Sequence, residues 1–214
     1  MKYIIIITAI FIFILSCNEP LRILLPKNNK NKIIAIQPFD NYNESDLSLL
    51  KQEISNFFHA RVTILKQKEI PIRPKQFPDD SYAADSLLFF LSKMKNDSIA
   101  EIIGITHQSI YTSDQPTLKK MNANNTYTYS ANIIGLGYIK GNACIVSDIR
   151  LMSTDRNLYM NRLKKAIFHE IGHNLGLVHC NDSSCIMAES NESIVYLNKP
   201  GCNFCKKCRR RIHQ

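Results

Sequence analysis

Apolar residues recur along this chain with two different periods, and the alternation between them predicts strands separated by helices. Lys32 to Phe39 is a near-continuous apolar run, closed by Pro38 and Asp40, as a buried strand would be. Leu47, Leu50, Ile54, Phe57 and Phe58 then fall at helical spacing, predicting a helix from a Ser45 cap to about His59. Arg61 to Leu65 alternates, with Val62 and Ile64 on one side, as a second strand. Pro71, Pro74 and Pro78 break the chain. A second amphipathic helix with Ala84, Leu87, Leu88 and Leu91 is expected from Asp79 or Asp80 to about Lys95. Ile99 to Thr106 reads as a third strand. Asn132 to Ile139 and Ala143 to Leu151 are joined only by Lys140-Gly141-Asn142, a connection so tight that the pair must be antiparallel. Strand–helix–strand units favour parallel pairing. The fold class is therefore α/β: a mixed, mostly parallel sheet with an antiparallel edge strand, packed on helices, the last from Arg162 to Leu175.

The start of the chain follows a different pattern. Lys2 precedes an almost pure apolar stretch, Tyr3 to Leu15, and then Ser16-Cys17. A positive start, a short apolar core and a small residue before the cut make an export signal, and the stretch is short of the roughly 20 residues that span a bilayer. Ile14-Leu15-Ser16-Cys17 also resembles a lipoprotein box, which implies lipid attachment at Cys17 and anchoring to a bacterial envelope membrane. A plain secretory signal, an uncleaved anchor, or a cytoplasmic product are the alternatives. The expected organisation is a leader over 1–17, a polar linker over 18–31 and one domain over 32–214.

Composition adds little until the cysteines are placed. The 214 residues are 45% hydrophobic and 21% charged, an ordinary globular balance, and the formal charge of +9 comes from scattered lysines plus a basic tail. Of seven cysteines, Cys17 and Cys144 stand alone, and Cys180, Cys185, Cys202, Cys205 and Cys208 crowd together near the end. Such crowding implies a local metal site or local disulfides. His59, at a helix end, reads as a capping group, and His107, just past a strand, has no partner in sequence.

The informative segment lies in the last predicted helix, His169-Glu170-Ile171-Gly172-His173. Two histidines four apart lie one above the other, so two imidazoles can reach one ion. Glu170 points to a different azimuth, from which its carboxylate can reach a metal-bound water as general base. Gly176 ends the helix and His179 follows as a third ligand, leaving an open position as catalysis requires. The residues therefore predict hydrolysis at a zinc ion.

His169-Glu170-Ile-Gly-His173-Asn-Leu-Gly176-Leu-Val-His179 resembles the extended metzincin signature. With Cys180, Cys185, Met187 and Cys205-Lys-Lys-Cys208 behind it, the run is similar to the archaemetzincin (archaelysin) family. That resemblance implies a zincin-like fold and a zinc-dependent peptidase acting on peptide or protein substrates. It implies two zinc ions per chain: one catalytic, on His169, His173 and His179, and one structural, on Cys180, Cys185, Cys205 and Cys208. Met187 would be the Met-turn residue beneath the catalytic metal, and the edge strand would take extended substrate by β-addition. Cys202 is an additional thiol that could join the cluster, and in an exported protein the four cysteines could instead be disulfides. A monomer and no nucleic-acid partner are expected. The rival readings are a catalytically inactive zinc protein acting as a peptide-binding or surface module, and a zinc-ribbon-like nucleic-acid binder. Glu170 argues against the first, and the lack of interleaved aromatics against the second.

Overall fold

The computed structural model describes residues 33–73, 80–112, 133–188, 193–199 and 201–212; the leader, the linker and Cys17 lie outside the described residues. In chain order the elements are β1 (Ile33–Pro38), α1 (Glu44–Phe58), β2 (Arg61–Ile64), β3 (Tyr82–Ala83), α2 (Ala84–Met94), β4 (Ile99–Thr106), β5 (Ile110–Tyr111), β6 (Gly135–Gly137), β7 (Ala143–Ser147), α3 (Arg156–Asn174), α4 (Ile194–Leu197) and α5 (Lys206–Ile212). One sheet has the order β2–β1–β4–β7–β6, with β1, β2, β4 and β7 parallel and β6 antiparallel to β7. The short β3 and β5 pair parallel to each other.

β4 and β7 are buried at every position because helices cover both faces of the sheet, which is why their sequences do not alternate. Alternation survives in what each side chain meets. Ile34, Ile36, Ile103, Ile105, Cys144 and Val146 join the core beneath α1 and α3. Ala35, Ile102 and Ile145 join the core beneath α2. Phe57 stacks on Phe168 with ring centres 4.1 Å apart, and Phe58 meets Phe168 edge-on, which clamps α1 against α3. Arg162 and Lys165, buried on α3, donate to backbone carbonyls, Arg162 to Leu151 and Met152 and Lys165 to Leu197 and Lys199, and Arg162 Nε also donates to Asn198 Oδ1.

The predicted α/β class, the mostly parallel sheet and the antiparallel edge are all present; several boundaries move. α1 is capped by Asn43, whose Oδ1 accepts from Ser45 N at 2.8 Å, and not by Ser45. α2 begins at Ala84, because Tyr82 N donates to Ser109 O and the preceding residues are drawn into β3; Asp80 sits at φ 47 and Asp79 is outside the described residues. β6 is shorter than expected. β7 stops at Ser147, since Leu151 N and Met152 N turn back onto Asp148 O. α3 starts six residues before Arg162, at Arg156, where Asp155 Oδ1 accepts from Asn157 N and Leu158 N. That capped turn is mostly polar and exposed, so hydrophobic periodicity could not reveal it. α4 and α5 were not expected. His59 does cap α1, but through its backbone N–H to Ser55 O at φ 49, with the ring exposed.

Candidate metal centre

α3 delivers the histidines and its ending brings in the third. Gly176 N donates to His173 O at 2.8 Å and Leu177 N to Gly172 O at 3.0 Å, the paired bonds of a Schellman ending. Gly176 holds φ +90 there, a conformation that strains any residue with a Cβ. The chain doubles back, and His169, His173 and His179 come together with donor atoms within 4.8 Å of one another. His169 is buried and His179 is exposed, so the cluster is walled on one side and open on the other.

Hydrogen bonds settle which nitrogens are available. His169 Nδ1 lies 2.7 Å from Ile186 O, and His173 Nδ1 lies 2.9 Å from Leu177 O. A carbonyl only accepts, so each Nδ1 carries the proton and each Nε2 presents a lone pair. The two Nε2 atoms face each other at 3.1 Å. Burial pushes His169 down to about 3 and lowers His173 as well, which favours the neutral form of both rings. Converging neutral imidazoles of this kind fit a divalent cation such as zinc. Glu170, one residue from His169, is buried beside β6.

Directly behind His179 lies the second cluster. The sulfurs of Cys180, Cys185, Cys205 and Cys208 also lie within 4.8 Å of one another. Cys180 Sγ is 3.7 Å from Cys205 Sγ, and every described cysteine is a free thiol. Cys205 N donates to Cys185 Sγ at 3.2 Å and Met187 N to the same sulfur at 3.4 Å. Burial pushes the Cys185 thiol up to about 11; a bound cation is what converts such thiols to thiolates. The four sulfurs fit a closed tetrahedral zinc site. Cys202 is outside this cluster: it is half-buried near Lys164 and Lys165, and desolvation pushes its thiol up to about 12. Met187 is fully buried with its sulfur against Gly172, between the two helical histidines. Its carbonyl accepts from Cys180 N at 2.7 Å, so one turn supports both clusters.

Two groups of polar residues escaped the sequence. His107, unpartnered in sequence, is bonded through Nδ1 to Asp148 Oδ1 at 2.8 Å, and Tyr159 OH donates to Asp148 Oδ2 at 2.6 Å. Tyr42 stacks on the His107 ring at 4.1 Å, and Asp40 Oδ2 accepts from His107 N. These groups line or underlie a cleft of about 280 Å³. Asp40, His107 and Asp148 each follow the carboxyl end of a parallel strand, and convergence of such positions was a signal available in the sequence. The other group is Glu101, buried on β4, which accepts from Asn174 Nδ2 behind the metal centre. Burial raises its carboxyl to about 8. An acid inside the apolar run Ile99 to Thr106 was the only hint.

A parallel sheet with an antiparallel edge, beside a helix presenting two histidines one turn apart and a third behind a glycine turn, defines a metallopeptidase of the zinc-dependent class. The model of Peptidase family M54 matches residues 75–214, and the chain belongs to that family. It is 29% identical over 158 residues to the archaemetzincin of Methanopyrus kandleri, covering 74% of this chain and 81% of that protein. With the archaemetzincin of Archaeoglobus fulgidus it shares 28% identity over 179 residues, 84% of this chain and 98% of the other. The crystal structure of the Methanopyrus kandleri archaemetzincin superimposes with a TM-score of 0.69 at 25% identity, covering 88% of this chain and 97% of that one. The chain is thus a zinc metallopeptidase, and the resemblance read from its motif holds.

Proposed function

We propose that this metallopeptidase hydrolyses peptide bonds with zinc held by His169, His173 and His179, and with Glu170 as general base. The observation that carries the reading is the pair of Nε2 lone pairs facing at 3.1 Å, with both Nδ1 protons committed to carbonyls. A zinc ion held there supplies Lewis acidity toward water and the substrate carbonyl. Glu170 takes the proton from the attacking water and later gives it to the leaving amine, a role its position beside His169 allows and its near-burial protects from competing solvent. The exposed His179 side leaves room for substrate, and β6, at the sheet edge, offers backbone groups to an extended peptide. Glu170→Ala should keep its catalytic-site zinc and lose roughly 10²- to 10⁴-fold in peptide hydrolysis. Undiminished hydrolysis in that variant would overturn the mechanism.

A second zinc on Cys180, Cys185, Cys205 and Cys208 would brace the loop that carries His179 through the bond between Cys180 N and Met187 O. Metal analysis should then give about two zinc ions per chain; one zinc, with Cys144 and Cys202 the only thiols titratable among the described cysteines after denaturation, would return the cluster to disulfides. The chain is further proposed to act as a monomer, exported and anchored through a lipid on Cys17, on the strength of its leader composition. Fatty-acid labelling that persists in Cys17→Ala would refute the anchor, and light scattering tests the monomer.

A further inference from the structure

The face of β6 that meets α3 has no side chains. Leu136 joins the core beneath α2, so by strand alternation Gly135 and Gly137 face the helix. The consequence differs between the two glycines. At Gly137, an added Cβ would meet the Glu170 backbone oxygen at 2.7 Å, an atom fixed in the helix. At Gly135, the three nearest atoms all belong to the Glu170 side chain: Oε1 at 2.7 Å, Cγ at 2.8 Å and Cδ at 2.9 Å. The carboxyl end of Glu170 thus occupies the space that a side chain at Gly135 would fill. The first group that must shift to admit a methyl group is that flexible side chain, and Gly135 has no positive φ that would oppose one.

We propose that Gly135 is a positioning residue for Glu170. By lacking a Cβ it holds the carboxylate down in the gap between α3 and the strand that an extended substrate would join. The inference rests on the reading of Glu170 as general base and adds what selects the working rotamer of that side chain. With alanine in place, the carboxylate must leave this resting place by swinging about its own torsions, and the proton acceptor is displaced relative to the histidines. Helix, hairpin and both thiol and imidazole clusters are untouched by that movement. Gly135 therefore belongs to the reaction geometry, and Gly137 to the seating of the helix.

The experiment uses the full chain loaded with zinc and four variants: Gly135→Ala, Gly137→Ala, Glu170→Ala, and Gly135→Ala combined with Glu170→Ala. Gly135→Ala should lower kcat roughly 10- to 100-fold with KM little changed, the scale expected when a catalytic group is misplaced by about 1 Å. Its zinc content and melting temperature should match the wild type. Gly137→Ala should instead lower the melting temperature. Affinity for acetohydroxamate, a zinc chelator that gives up a proton on binding, provides a readout independent of turnover. It should weaken in Gly135→Ala and in Glu170→Ala, and no further in the double variant, since one residue acts through the other. Full kcat in Gly135→Ala, or additive losses in the double variant, would overturn the positioning role. Undiminished hydrolysis in Glu170→Ala would instead remove the general-base reading itself, so the two failures are distinguishable.

Discussion

The two ends of α3 treat histidine in opposite ways. At the N-terminal end Tyr159 meets Asp148, and that buried carboxylate holds His107. The hydrogen bond to Asp148 raises the His107 pKa, with burial opposing and the Asp148 and Asp40 charges assisting. At the C-terminal end, His169 and His173 have carbonyl partners in place of carboxylates, and burial drives both downward. The same side chain is therefore favoured as a cationic tie at one end and as a neutral imidazole at the other. Burial and partner decide together: a facing anion stabilises imidazolium, whereas burial without one favours the neutral ring, which the carbonyl then orients. The helix dipole alone would favour the opposite, imidazolium near the C-terminus, so burial outweighs it at His169 and His173.

This contrast can be broken from either end. The largest effect is expected at the metal centre: His169→Ala should lose one zinc per chain and reduce peptide hydrolysis to background. Retained zinc stoichiometry would show that the three imidazoles are not a ligand set. At the other end, Asp148→Ala should cost roughly 3 kcal/mol of stability in urea titration, because it strips partners from His107 and Tyr159 at a fully buried position. Zinc content should not change there, and a lost zinc would mean that the two ends are one unit.

A smaller effect distinguishes cation from neutral ligand. The folded pKa of His107 lies above the ordinary value of 6.5, so its charged contact adds stability that is complete below that pH. It disappears as pH rises through the raised value. The stability gap between wild type and His107→Gln should therefore be widest below pH 6.5 and close on the alkaline side, by about 1 kcal/mol, since the His107 side chain is still 28% exposed. A gap that widens with pH would contradict the cationic tie. The helix cap is of similar size but independent of pH near neutrality: Asp155→Ala should cost about 1 kcal/mol and leave hydrolysis unaltered.

Much of this was legible in the sequence where local pattern carries the physics. The helical spacing of His169 and His173, and Gly176 at a position that only a left-handed turn needs, fix a metal site within eleven residues of chain. The apolar runs of β1, β4 and β7 likewise announce strands covered on both faces, and Lys140-Gly141-Asn142 announces the antiparallel turn. In that turn the positive φ falls on Lys140 (φ 60) and not on the glycine. The start of α3 and the two-residue strands β3 and β5 were hidden, because a polar capped turn and single bridges have no hydrophobic period to read.

What the sequence determined by itself is the candidate donor set: three imidazoles, five crowded thiols and one carboxylate, at spacings that a helix and a glycine turn can bring together. Tertiary structure decided which other groups the donors meet. It brought Ile186 O and Leu177 O to the Nδ1 atoms, kept Cys202 away from the other thiols and laid Glu170 against the bare strand at Gly135. It also joined His107 to Asp148, residues 41 positions apart, at the ends of two neighbouring strands. Spacing within one element is set by its 3.6- or 2-residue period, so it can be read from the chain. Contacts between elements depend on how the sheet orders its strands and where helices cross them, and that order is written only in the packed core.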